Sequence, residues 1–195
     1  MEQENTIQTG ISVQFRRNLA VNQRKVVLNA DVTKDSIAEV MYYLYSLEYL
    51  DSKSKTKEPI EILINTNGGD VEQGLILISY IEYLKKNGYT IITTTIGNAY
   101  SMGLFLACVG TKRNGYEHSR YLWHEISSGV LGKLSVMEEE VDYCHTLSDE
   151  VEKILLKYTK IPKAKLEEWR KQRRDVYISV EQAIEYGIID EIMWG

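Results

Sequence analysis

The chain has 195 residues, 44% hydrophobic and 26% charged, which is long enough for one domain with its own core and an ordinary globular balance. Its formal net charge of −5 argues against a sequence-independent nucleic-acid binder, which works by neutralising phosphates. The first 20 residues lack the apolar stretch of a secretory signal, and no run approaches the ~20 apolar residues of a membrane span, so a cytoplasmic protein without membrane contact is expected.

In chain order, residues 1–23 form a polar N-terminal segment whose start, Met1 to Thr9, reads as flexible. Residues 24–195 carry no domain boundary or internal repeat and read as a single domain. Lys25 to Leu28 has strand character. Ile37, Val40, Met41, Leu44 and Leu47 recur at helical spacing, with Ser36 and Glu39 in capping-box form. A charged loop, Asp51 to Glu58, leads to a strand at Ile60 to Ile64. Val71, Gly74, Leu75, Ile78 and Ile81 form a second helical stripe, and Thr90 to Ile96 a third strand. Ser101 then stands at a tight turn before an apolar helical run, Leu104 to Val109. Arg120 to His124 is a short apolar strand ending in histidine. A long helix is expected from about Val136 to Tyr158, through Met137, Val141, Cys144, Val151 and Leu155. The basic run Arg170 to Arg174 reads as the solvated end of a helix; Ser179 with Gln182 has capping-box form, and Gly187 is a helix stop. Alternation of strand and helix favours a parallel sheet flanked by helices, with active residues at the carboxyl ends of strands.

Cys108 and Cys144 are the only cysteines, lack C-x-x-C spacing, and read as buried unpaired thiols. His118, His124 and His145 lack metal-ligand spacing, so neither metal nor cofactor is expected. The 14 tyrosines against 2 phenylalanines suit surfaces that pack on other subunits, since tyrosine combines an apolar body with a wet tip.

Three segments carry chemistry. Ser101 follows a strand and precedes a helix, among the small residues Gly97, Ala99 and Gly103, which is the logic of a nucleophile elbow; a serine that merely caps the helix has the same pattern. Asn65-Thr66-Asn67-Gly68-Gly69 ends a strand, where paired glycines can turn a backbone N–H toward an oxyanion or simply make a turn. His124 is either a structural histidine or the base that a serine nucleophile needs.

Together these segments resemble the proteolytic subunit of the Clp protease, ClpP. That family has a strand leading to N-S-P-G-G, then G-x-A-A-S-M-G, then a strand ending in M-I-H-Q-P, then R-D-R-F and S-x-x-E-A-x-x-Y-G-L-I-D. The matching pieces are Asn65 to Gly69, Gly97 to Gly103, Tyr121 to Glu125, Arg174 to Tyr177, and Ser179 to Asp190. The resemblance implies an α/β fold, a ClpP/crotonase-like spiral of βαβ units with a protruding helix-strand handle at about residues 127–160. It implies Ser101 as nucleophile, His124 as general base, Asp175 as the group orienting the imidazole, and the N–H groups of Gly69 and Met102 as the oxyanion hole. Gly68 and the handle strand Ser127, Ser128, Gly129 and Val130 would hold a substrate backbone. The implied activity is that of a serine endopeptidase acting on unfolded polypeptides or peptides inside an oligomeric chamber. Its implied assembly is a heptameric ring, single or double, fed by an AAA+ ATPase unfoldase that docks on the N-terminal, axial segment.

Departures from the family pattern are Asn67 for proline, Glu125-Ile126 for Gln-Pro, and Val176 for the arginine that resembles a ring-to-ring ion-pair sensor. Two other readings compete: a non-catalytic assembly or regulatory subunit on the same fold, and a crotonase-like enzyme acting on an acyl-CoA thioester.

Overall fold

The computed structural model describes residues 2–54 and 56–194, with side chains from residue 13 onward. Helix α1 (Glu2–Gln23) is followed by β1 (Lys25–Asn29), α2 (Lys34–Asp51), β2 (Ile60–Thr66), α3 (Val71–Lys86), β3 (Ile91–Tyr100) and α4 (Met102–Cys108). Then come β4 (Lys112–Tyr116), β5 (Arg120–Trp123), α5 (Leu134–Tyr158), α6 (Lys163–Gln172), β6 (Val176–Ile178), α7 (Val180–Glu185) and β7 (Glu191–Met193). Strands β1-β2-β3-β4-β7 form a parallel sheet, so the chain winds through successive βαβ units, as the alternating pattern requires. The mixed α/β spiral expected from sequence is therefore the fold observed.

Strand β3 is the axis of this arrangement. Its first half pairs with β4 through Ile92 to Thr95, and its last residues, Asn98 to Tyr100, pair with β5. Strand β5 in turn carries β6 antiparallel on its other edge. The fork places three chain ends, after β2, β3 and β5, around one point. Apolar alternation explains the sheet: Ile60, Ile62 and Ile64 are buried at every second position of β2. The five apolar residues expected on the first helical stripe are all buried in α2.

Several expectations are corrected. The capping box of α2 is formed by Thr33 and Ser36, not Ser36 and Glu39: Ser36 N–H donates to Thr33 Oγ1 at 3.2 Å and Thr33 N–H to Ser36 Oγ at 3.0 Å. The helix thus begins a turn earlier. Strand β3 runs through Gly97 to Tyr100 instead of turning there, because β5 offers a second pairing partner. Residues 127–132, expected as a handle strand, make no strand among the described residues; ladder hydrogen bonds need a neighbouring edge, and this segment has none. The N-terminal segment is helical from Glu2; its last turns reach the fold through buried Ala20 and an Arg16–Glu39 ion pair of 3.2 Å. Cys108 is buried as expected, whereas Cys144 is only half-buried because α5 extends away from the core there.

Arg24 joins α1 to β1 in the left-handed region, φ 55. Its guanidinium binds both Asp51 oxygens, at 3.0 and 2.7 Å, and donates to the carbonyls of Pro59 and Glu58. The end of α2 is thereby tied to the start of the sheet; removing one partner of such a shielded pair costs about 3–5 kcal/mol. Among the described residues no helix is long and apolar enough to cross a membrane.

Candidate active site

Ser101 leaves β3 with φ 53 and ψ −120, a conformation that costs a residue with a side chain about 1–3 kcal/mol. Its N–H donates to Leu122 O at 2.9 Å, continuing the β3–β5 pairing. It precedes α4 at the capping position, yet its hydroxyl makes no cap hydrogen bond. The capping alternative is therefore not what the geometry displays. Every residue of α4 is buried, and the helix is pressed into the sheet by small residues: a Cβ on Gly74 would lie 2.3 Å from Met102 Cγ.

The glycine loop closes on the same point. Gly68 has φ 97, and a Cβ there would lie 2.6 Å from the Ser101 Cβ. Val32 zips onto this loop: its N–H donates to Gly68 O at 2.7 Å and its carbonyl accepts from Asp70 N–H at 2.8 Å. A Cβ on Gly69, φ 140, would sit 2.3 Å from Val32 O, so only glycine fits. This parallel bridge turns the N–H of Gly69 away from Val32, and among the described residues it donates to no backbone carbonyl. Among the described residues the N–H of Met102, first residue of α4, likewise donates to no backbone carbonyl.

His124 follows the last residue of β5 and is half-buried. Strand β6 runs antiparallel to β5, the pairing ends with Trp123 opposite Val176, and His124 and Asp175 are the next residues of the two chain segments. Asp175 is exposed. Among the described residues, the side chains of Ser101, His124 and Asp175 are not hydrogen-bonded to one another.

Gly69, Ser101, Met102 and His124 line one pocket. The rest of its lining is apolar at Val71, Phe105, Trp123, Ile126, Val151, Leu155 and Leu166, and polar at Glu125, Ser127, Ser148, Glu152 and Arg170. Lys171 to Arg174 are exposed at the end of α6, as the basic run suggested, and half-exposed Arg170 pairs with Glu152 at 2.6 Å, linking α6 to α5. Sequence reasoning missed this pair because no spacing joins residues on separate helices. Of the expected substrate-binding residues, Ser127 lines this pocket and Gly68 abuts Ser101. Ser128 and Val130 line an adjoining cleft, where Ser128 donates to Glu140, and Gly129 faces open space. Burial pushes the Cys108 thiol up to about 12, which makes it inert as a nucleophile.

Among the described residues, an uncapped hydroxyl on a strained turn, two N–H groups that donate to no backbone carbonyl and an imidazole share one pocket on an α/β scaffold, an arrangement that can support acyl transfer. Residues 10–195 match the Clp protease family. The chain is 33% identical over 174 residues to the ATP-dependent Clp protease proteolytic subunit 1 of Prochlorococcus marinus (strain NATL2A), covering 88% of this chain and 84% of that protein. It is 32% identical over 175 residues to the ATP-dependent Clp protease proteolytic subunit 2 of Chlamydia muridarum (strain MoPn / Nigg), covering 89% and 82%. The chain belongs to the Clp protease family, as a divergent member.

Proposed function

We propose that the protein is a Clp-type serine endopeptidase that hydrolyses peptide bonds through an acyl-enzyme. Ser101 attacks the peptide carbonyl while His124 takes its proton, and His124 then protonates the leaving amine; Asp175 orients the imidazole. The N–H groups of Gly69 and Met102 receive the oxyanion. Water repeats the sequence to release the acyl group. The observation that carries this reading is the strained, uncapped Ser101 in one pocket with Gly69, Met102 and His124. Strain held at one residue by surrounding packing is a mark of functional sites.

The substrate is an unfolded polypeptide or peptide, whose backbone would add as a strand against Ser127 to Val130, with Gly68 at the cleavage point. A segment that lacks a ladder partner and lies beside the pocket supports this. The relatives are named as subunits of an ATP-dependent protease, which supports assembly into a heptameric ring, single or double, fed by an AAA+ ATPase. The apolar face of α5 and the segment before it support such assembly too: Leu131 is 95% exposed, Leu134 71% and Val141 53%. A cytoplasmic location accords with two free cysteines.

One observation favours a second reading, a non-catalytic subunit: the three catalytic side chains are not joined by hydrogen bonds. Covalent labelling with a fluorophosphonate, on protein fractionated by size, separates the two. Labelling of Ser101 in a large oligomer is the expected result. Absence of labelling in every fraction, with and without a candidate unfoldase, would favour the non-catalytic subunit.

A further inference from the structure

We propose that Asn65 is a positioning residue, whose side chain substitutes for strand backbone and sets where Ser101 stands relative to the glycine loop. The proposal rests on reading Ser101 as the nucleophile. Strands β2 and β3 pair residue for residue from Ile60–Ile91 to Ile64–Thr95, but the next pair is Thr66–Ala99. Asn65 therefore faces Ile96, Gly97 and Asn98 by itself. A bulge of this kind re-aims the chain beyond it, in this case Tyr100 and Ser101.

The Asn65 amide fills the gap. Its Oδ1 accepts the backbone N–H of Asn98 at 2.9 Å, a bond that a neighbouring strand would otherwise provide. Because a backbone N–H can only donate, this bond fixes the amide orientation, and Nδ2 then donates to Asn29 Oδ1 at 2.7 Å. The side chain also accounts for Gly97, where a Cβ would lie 2.4 Å from Asn65 Oδ1. Asn98 is held from a second direction: its Nδ2 donates to Asn67 Oδ1 at 3.3 Å. Asn67 stands directly before Gly68-Gly69. One residue of the bulge is thus bonded both to β2 and to the loop that carries the Gly69 N–H.

Asn65 does not line the pocket, whose apolar wall comes from Val71 of α3, from α4, α5 and α6, and from Trp123 and the chain after it, with Gly69 at its edge. Losing Asn65 should therefore shift Ser101 against the oxyanion donors while leaving in place the apolar wall that holds the substrate. The expected signature is a fall in kcat with KM unchanged. A displacement near 1 Å at a reacting atom costs about 10²-fold.

The test compares the parent with Asn65→Ala, Asn65→Asp and Asn67→Ala in hydrolysis of a fluorogenic peptide, with rates expressed per folded molecule from thermal unfolding. Ser101→Ala is run beside them. Asn65→Ala should lose about 10²-fold in kcat and in the rate of fluorophosphonate labelling, with faster exchange of the Asn98 amide. Asn65→Asp keeps the acceptor for Asn98 and should recover most of that loss. Asn67 is exposed, so Asn67→Ala should fold as the parent does and still lose several-fold in kcat. Parent-like kcat in both alanine variants, or a loss seen only in KM or only in the folded fraction, would overturn the role of Asn65. Equal activity of Ser101→Ala and the parent would instead overturn the nucleophile, and the positioning role with it.

Discussion

The corner where β3 meets α4 and the outer half of α5 obey opposite rules. Every residue of α4 is buried, and the turn before it is fixed by β5, Gly68 and the packing of Gly74 and Gly103 against neighbours. Of α5, only Val151 and Leu155 are buried, although its apolar stripe starts far earlier. The first region is complete within one chain. The second displays an apolar face that the described residues of the same chain cover only in part. The difference teaches that burial within the protomer, not apolar content, separates the corner proposed for chemistry from the face proposed for association.

The sharpest way to break this comparison is at Ser101. Ser101→Ala should abolish peptidase activity, a fall of about 10⁶-fold, while thermal stability holds or rises as the residue loses its one polar group. Retained hydrolysis would remove the corner's claim to chemistry. Asp175→Asn should lower kcat by about 10⁴-fold with assembly intact, as measured by peptide turnover and sedimentation. Equal turnover of this variant and the parent would leave His124 without its proposed partner.

Gly68→Ala tests how tightly the corner is specified. The new methyl would meet the Ser101 Cβ at 2.6 Å, at a φ of 97 that side chains avoid, so a loss of about 1–3 kcal/mol in denaturant unfolding is expected together with loss of labelling. The outer half of α5 should answer in the opposite way. Val141→Glu should change the unfolding free energy of the chain by less than about 0.5 kcal/mol, yet shift sedimentation toward smaller species. An unchanged large particle would show that this face is not what assembly covers.

The smallest expected effect lies at the far edge of the sheet. Burial raises the Asp190 carboxyl, but the hydrogen bonds and charge of Arg113 outweigh it, and the group sits below the ordinary carboxylate range. A lowered folded value means stability that is present above about pH 4 and lost as pH falls through that folded value. Asp190→Asn should flatten the acid limb of a melting-temperature profile and leave the neutral limb little changed, since the carboxylate is 46% exposed and solvent-screened.

Much of the frame was legible because its signals are local. Alternating isoleucines marked β2, the apolar stripe marked α2, and Ser179 with Gln182 forms the capping box that its spacing announced. Gly187, φ 65, ends the last helix region as expected. What escaped depends on distant partners. Thr33 and Ser36 share the spacing of Ser36 and Glu39, and only the path of the chain selects between them. Asn98 to Tyr100 look like part of a turn until β5 arrives to pair with them. Nothing in the spacing around Arg170 announces its pair with Glu152, which α5 brings to it. At the site, Ser101 and the two glycines stood out from their neighbours by residue type and place. Asp175 did not, because the one relation that marks it is the antiparallel register of β6 against β5.

The clamp at Arg24 has a mechanical consequence. Its guanidinium holds the end of α2, the loop before β2 and the start of β1 at once, through Asp51, Glu58 and Pro59. A load applied to the chain ahead of Arg24 meets this joint before it meets any strand. The joint shares the load among three segments, so a pull on the N-terminal helix must strain all of them together before it can peel a single strand.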